Sequence, residues 1–215
     1  GWGHWVDEAQ PTGDLIGRAT LGAAAGQVLA CDTTSVNFYQ LALAAINARP
    51  GRKTIITDAA NFPTDRYILD GIAKQLGLKL IKSLTDLVRG YGAFMLWDAS
   101  HAVGAIEMDF DKNGVDIAVG CTYKYGNSGP GSPAWLYVNK NVQAELQVPI
   151  QGWFSQGDQF AMGPVFEKAE GIRGFQIASP SLIGLRCIKS AFTMIEEAGI
   201  GAISEKAAIG TEMML

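Results

Sequence analysis

With 215 residues, 48% of them hydrophobic and 18% charged, the chain has enough apolar material to bury the core of one domain, or of one and a fraction. Its 17 basic and 21 acidic residues leave a net charge of −4 with no run of Lys or Arg, which argues against a nucleic-acid partner. Cys31, Cys121 and Cys187 lie far apart without a CxxC pair, and no segment is long and apolar enough to span a bilayer, so a soluble, cytoplasmic, reduced protein with no metal site and no membrane partner is expected.

The first residues, Gly1-Trp2-Gly3-His4-Trp5-Val6-Asp7-Glu8, carry neither a basic nor an apolar targeting region. From Thr33 onward, short β-rich runs alternate with helical spacing: 35–47 and 64–76 read as helices, 54–57 and 78–81 as strands. The apolar run 93–97 ends at Asp98, 117–121 ends just before Tyr123-Lys124, and 135–138 follows a glycine-rich turn. This alternation predicts an α/β fold with a mostly parallel sheet flanked by helices, and polar residues just past strand ends are where such sheets place ligands. Residues 151–166, rich in Gly, Gln and Phe, read as a surface loop, and 185–198 and 202–215 return to helical spacing. The expected organisation is an N-terminal segment 1–30, an α/β ligand-binding domain 31–180 and a helical segment 181–215.

Four local features carry candidate chemistry. Cys31-Asp32-Thr33-Thr34-Ser35-Val36-Asn37 sets hydroxyls at a helix start, where free N–H groups and the helix dipole favour a phosphate; ordinary capping by Thr34 or Ser35 explains the same residues. In Asn61-Phe62-Pro63-Thr64-Asp65, Phe62 is placed to lie on an aromatic cofactor with Asp65 at its rim, while Pro63 near the first helical position and Asp65 in the first turn also make a capping turn. Trp97-Asp98-Ala99-Ser100-His101 follows a strand, and a carboxylate there can pair with a protonated pyridine nitrogen; Asp98 also suits a cap and His101 a satisfied polar position. Lys124, between Tyr123 and Tyr125 and before Gly126-Asn127-Ser128-Gly129, suits a desolvated amine that attacks an aldehyde, against the plain alternative of a surface lysine beside a turn. Asp98 and Lys124 are one strand-loop-strand unit apart, so both can converge at one sheet edge, which points to pyridoxal 5′-phosphate held by Lys124 as a Schiff base.

In this order the motifs resemble those of kynureninases, aspartate-aminotransferase-like enzymes dependent on pyridoxal phosphate (PLP). The resemblance rests on Asp32-Thr33-Thr34-Ser35-Val36-Asn37, Asn61-Phe62-Pro63-Thr64-Asp65-Arg66-Tyr67, Trp97-Asp98-Ala99-Ser100-His101-Ala102-Val103-Gly104-Ala105, Gly120-Cys121-Thr122-Tyr123-Lys124-Tyr125, Gly152-Trp153-Phe154 and Phe160-Ala161-Met162-Gly163-Pro164. It implies hydrolysis of the Cβ–Cγ bond of L-kynurenine or 3-hydroxykynurenine to an anthranilate and L-alanine, in tryptophan catabolism and NAD biosynthesis. It implies that Lys124 carries the cofactor, Asp98 pairs with its ring nitrogen, His101 sits beside the ring, Phe62 stacks on it and Asp65 supports the site. It further implies that Thr34, Ser35 and Tyr123 hold the phosphate with Trp153 of a neighbouring subunit, that Ser179 stands at a further cofactor contact, and that the chain forms a homodimer with a shared site.

Departures from the family accompany these matches. The chain has about half the usual family length, so the small C-terminal domain and its carboxylate-gripping arginine are expected to be absent, with Arg173 in the wrong segment to replace it. Between Lys82 and Thr85 an interior strand is expected to be missing, the N-terminal arm is shortened, and Ser179 stands where relatives carry Asn or Thr. Two other readings are a PLP-binding chain without catalysis and a different PLP enzyme such as a cysteine desulfurase.

Overall fold

In the computed structural model, residues 7–58, 60–81, 92–160 and 163–214 are described. The first helix, α1 (Ala9–Ile16), holds both Pro11 and Gly13 and is a poor helix former by itself. Packing makes it. It lies so close to strand β1 (Val28–Cys31) that a Cβ on Gly13 would stand 2.2 Å from the Val28 carbonyl oxygen. It then widens into one π turn, Gly17–Leu21, ended by Gly22 in the left-handed region at φ +59°.

Helix α2 (Thr34–Asn47) follows β1, then strand β2 (Thr54–Ile56), helix α3 (Pro63–Leu76) and strand β3 (Lys79–Ile81). The sequence places Pro63 and Asp65 at the start of α3, and there they stand, with Pro63 in the first turn and Gly77 closing the helix in the left-handed region. Strand β4 (Leu96–Asp98) is shorter than the apolar run suggested and ends on Asp98 itself. Strands β5 (Ile117–Gly120) and β6 (Ala134–Val138) are buried at every position.

Helices flank a sheet, as an α/β fold requires, and the sheet is mixed. Its order is β1-β6-β5-β4, with β4 and β5 parallel and β6 antiparallel to both β1 and β5. Residues 121–133, which connect β5 to β6, form no crossover helix, and the chain folds back antiparallel. Strands β2 and β3 pair in parallel as a separate two-stranded sheet. The interior strand expected to be missing between Lys82 and Thr85 lies outside the described residues.

Trp135, Tyr137, Phe175 and Phe192 are fully buried and join one hydrophobic core that runs from Ala9 to Ile195. The boundary expected after residue 30 therefore falls inside β1, within a shared core. Within residues 151–160, part of the segment expected to be a surface loop, Phe154, Ser155 and Gln159 are buried. Helix α4 (Leu182–Ala198) is tied to the N-terminal segment by Arg18 to Glu196 at 2.5 Å and Arg186 to Glu8 at 2.9 Å. Helix α5 (Ile200–Glu212) follows and buries none of its residues. No helix among the described residues is long and apolar enough to cross a membrane.

Candidate active site

Parallel pairing of β4 with β5 aligns Asp98 with Val119, and the Ala99 N–H donates to the Val119 carbonyl at 2.8 Å. Both strands thus end at one edge, and the loops leaving them carry His101 and Lys124. The loops are cross-braced. Ser100 Oγ accepts the Cys121 N–H at 3.1 Å, Thr122 Oγ1 donates to the Pro133 carbonyl at 2.6 Å, and the Asn127 N–H closes a turn on the Lys124 carbonyl at 3.1 Å. Gly104 seats one loop on the other: at φ +80°, a Cβ there would lie 2.6 Å from the Tyr125 carbonyl oxygen.

Lys124 projects from this brace, half-buried, with Nζ 3.2 Å from His101 Nε2 and 5.8 Å from the centre of the Phe62 ring. Phe62 is 53% exposed and offers its face. From the first turn of α3 comes Asp65, only 3% exposed, with its carboxyl directed at Asp98. Burial, the charge of Asp98 and a hydrogen bond shared with it push Asp65 up to about 7, against the opposing pull of Lys124. Asp98 Oδ1 accepts the Ser100 N–H at 2.8 Å, the local turn that capping by Asp98 would give. Tyr123 is half exposed; the charge of neighbouring Cys121, then burial and Asp98, hold its phenol above the ordinary value, so it remains a neutral donor.

At the C-terminal end of β1 the chain turns through Asp32, at φ +48°, into α2. Asn37 locks this turn, donating from Nδ2 to the Cys31 carbonyl at 3.0 Å. The cap is neither Thr34 nor Ser35. Thr33 accepts the Val36 N–H at 3.3 Å, which frees the hydroxyls of Thr34 and Ser35 in the first turn from that duty.

The structure therefore brings together Phe62, Asp65, Asp98, His101 and Lys124, with Tyr123 beside them. Trp153, 44% exposed, packs edge-on against Phe154 at 4.5 Å and Phe160 at 6.4 Å rather than on this cluster. Ser179 is exposed beyond the short helical turn Gly171–Phe175, and Arg173 Nη2 is engaged by Gln159 Oε1 at 2.7 Å. Ser100, Gly104, Thr122 and Asn127 stand within the sequence motifs, but their bracing of the two loops shows only in the fold.

No family model matches the chain. It is 29% identical to a kynureninase of Pseudomonas fluorescens, over 98% of this chain and 60% of that protein. It is 33% identical to one of Burkholderia pseudomallei over 94% and 58%, and 30% identical to one of Deinococcus radiodurans over 95% and 62%. The chain thus spans about three-fifths of the length of the curated relatives it matches. The match to the Pseudomonas enzyme runs over 251 residues, more than this chain contains, so that relative carries residues between the aligned ends that are missing here. Among solved structures, a cysteine desulfurase of Thermococcus onnurineus superposes with a TM-score of 0.79 at 17% identity, over 94% of this chain and 60% of that one. A C-DES mutant with glycine covalently linked to its PLP cofactor superposes at 0.68 and 14%, over 88% and 61%. These show the fold.

Proposed function

The chain is kynureninase-like along nearly its whole length, and from that premise we propose that it holds pyridoxal 5′-phosphate on Lys124 and serves the hydrolytic cleavage of L-kynurenine or 3-hydroxykynurenine, in tryptophan catabolism and toward NAD. One observation carries the reading: an amine, the carboxylates of buried Asp65 and half-buried Asp98, and an open aromatic face meet at the ends of β4 and β5. The residues fit the cofactor. Asp65 Oδ2 is buried without a hydrogen-bond donor, and a ring N–H⁺ is the donor such a pair of acceptors lacks. The first turn of α2, with Thr34 and Ser35 free of capping, and the neutral phenol of Tyr123 suit a phosphate.

When bound, the cofactor supplies an aldehyde and an electron-withdrawing ring. Lys124 would provide the amine that holds the cofactor and would serve as the base and acid that moves protons beside it. His101, 3.2 Å from that amine, orients it. Asp98 and Asp65 hold the ring nitrogen in its cationic form, and Phe62 covers one ring face. The proposal extends to a dimer in which Trp153 of one copy reaches the phosphate of the other and Ser179 lies at the cofactor; the exposed indole is consistent with it.

The test is reduction with borohydride after mixing with PLP, followed by peptide mapping. Lys124 carries the label and Lys124→Ala loses both label and yellow colour; label on another lysine, or none, overturns the site. Release of anthranilate and alanine from kynurenine supports the activity, while PLP binding without turnover moves the chain to a non-catalytic role. Sulfide release from cysteine would favour the desulfurase reading, for which the thiols are poorly placed: Cys31 and Cys121 are buried, and Cys187 sits on the regular helix α4.

A further inference from the structure

Two acids meet at the site, and one of them is buried. Asp65 is 3% exposed, its Oδ2 has no hydrogen-bond donor, and it faces Asp98, whose Oδ1 is already occupied by the Ser100 N–H. Ionised carboxylates offer each other only lone pairs, so this geometry is unfavourable unless one of them keeps a proton. One proton between the two turns the contact into an O–H···O⁻ bond of the strong, charge-assisted kind.

The surrounding charges do not relieve the pair. Lys124 is the cation facing Asp65 from the β5–β6 loop, and its amine is shared with His101. Tyr123 and Cys121 on the same loop and strand end add no positive charge toward Asp98, and Arg66, next on α3, has an interaction of its own. Burial and mutual repulsion outweigh Lys124, in agreement with the value near 7 for Asp65.

Building on the cofactor reading, we propose that Asp65 and Asp98 hold one proton between them when no ring is bound, and that seating an N-protonated heteroaromatic ring expels it, so that Asp65 selects the cationic form of the ring. The step is an acid–base exchange. The O–H bond of the shared acid breaks, its proton leaves to solvent, and the ring N–H⁺ becomes the donor between two carboxylates, with no change of oxidation state. A ring arriving unprotonated takes the shared proton instead and releases none.

The probe is 4-deoxypyridoxine 5′-phosphate, which has the hydroxypyridine ring in its N-protonated form near neutral pH but no aldehyde, so Lys124 adds no proton of its own. Titration calorimetry at pH 6.5 in two buffers of different ionisation enthalpy counts protons. Wild type is expected to release roughly 0.5 to 1 proton more than Asp65→Asn, with the phosphate contribution common to both. Probe affinity should rise about tenfold between pH 5.5 and 7.5 in wild type and stay nearly flat in the variant, once the shared phosphate titration is subtracted. Carbon-13 spectra of aspartate-labelled protein without probe give an independent readout: one carboxyl titrates near neutrality, and its transition is lost in both Asp65→Asn and Asp98→Asn. Equal proton counts in wild type and variant, or no carboxyl titrating above the ordinary aspartate range, overturns the proposal while leaving cofactor binding standing. Failure of the probe to bind either protein overturns the cofactor reading, and the carboxyl titration still decides the shared proton.

Discussion

Replacing Asp65 by Asn offers a test that needs no ligand, because the buried acid ties folding stability to pH. In the folded chain its carboxyl sits at about 7, against 3.8 for an exposed aspartate, with burial as the largest cause and Asp98 next. A raised folded value means that the native state holds the proton after the unfolded chain has released it. The favourable contribution is therefore complete below about pH 4 and is lost as the pH rises through about 7, at about 1.4 kcal/mol per pH unit. Between pH 5 and pH 8 the two units below 7 count, so this group removes roughly 3 kcal/mol of stability. Asparagine keeps the shape, can donate to Asp98 and does not titrate. Urea melts of both proteins at pH 5, 6, 7 and 8, with the m-value checked for constancy, measure the effect. Wild type should lose about 3 kcal/mol more than the variant across that range. Parallel curves, or a wild type that gains stability as pH rises, would refute the argument that Asp65 is folded in as a buried acid.

Five further substitutions separate packing from binding. Thr33→Ala removes the cap on α2 and should cost about 1 kcal/mol in a urea melt, whereas Thr34→Ala and Ser35→Ala should cost under about 0.5 kcal/mol yet weaken PLP retention measured by dialysis. Gly104→Ala places a methyl 2.6 Å from the Tyr125 carbonyl at φ +80°, so a loss of about 2 to 3 kcal/mol is expected, with slower borohydride labelling of Lys124 as its loop shifts. Tyr137→Phe deletes a buried hydroxyl that donates toward Asp111 Oδ1 at 3.1 Å and accepts from Asn139 at 3.0 Å, and should lower stability by about 1 to 3 kcal/mol in the same assay.

What could be read along the chain was whatever is local. Pro63 and Asp65 announce the start of α3 because proline tolerates the first helical turn and an acid favours its dipole. Asp98 and Lys124 declare themselves by following apolar strands, and their partnership follows from the parallel register of β4 and β5. Helix α1 escaped the reading because Pro11 and Gly13 speak against a helix, and only contact with β1 outweighs that preference. The cap of α2 was misplaced for a related reason: three consecutive hydroxyl residues are equivalent in sequence, and the turn at Asp32 chooses Thr33.

The sequence by itself determined the residue types of the site, their order, the kinship with kynureninases and the helical and extended segments that present them. Tertiary structure decided which way β6 runs, that β2 and β3 pair apart from the larger sheet, and that Asp65 is sealed against Asp98. The physical reason is range. Capping, turn chemistry and hydrophobic period act over a few neighbouring residues, whereas strand direction and the protonation of a buried acid depend on groups far apart in the chain that only folding brings together.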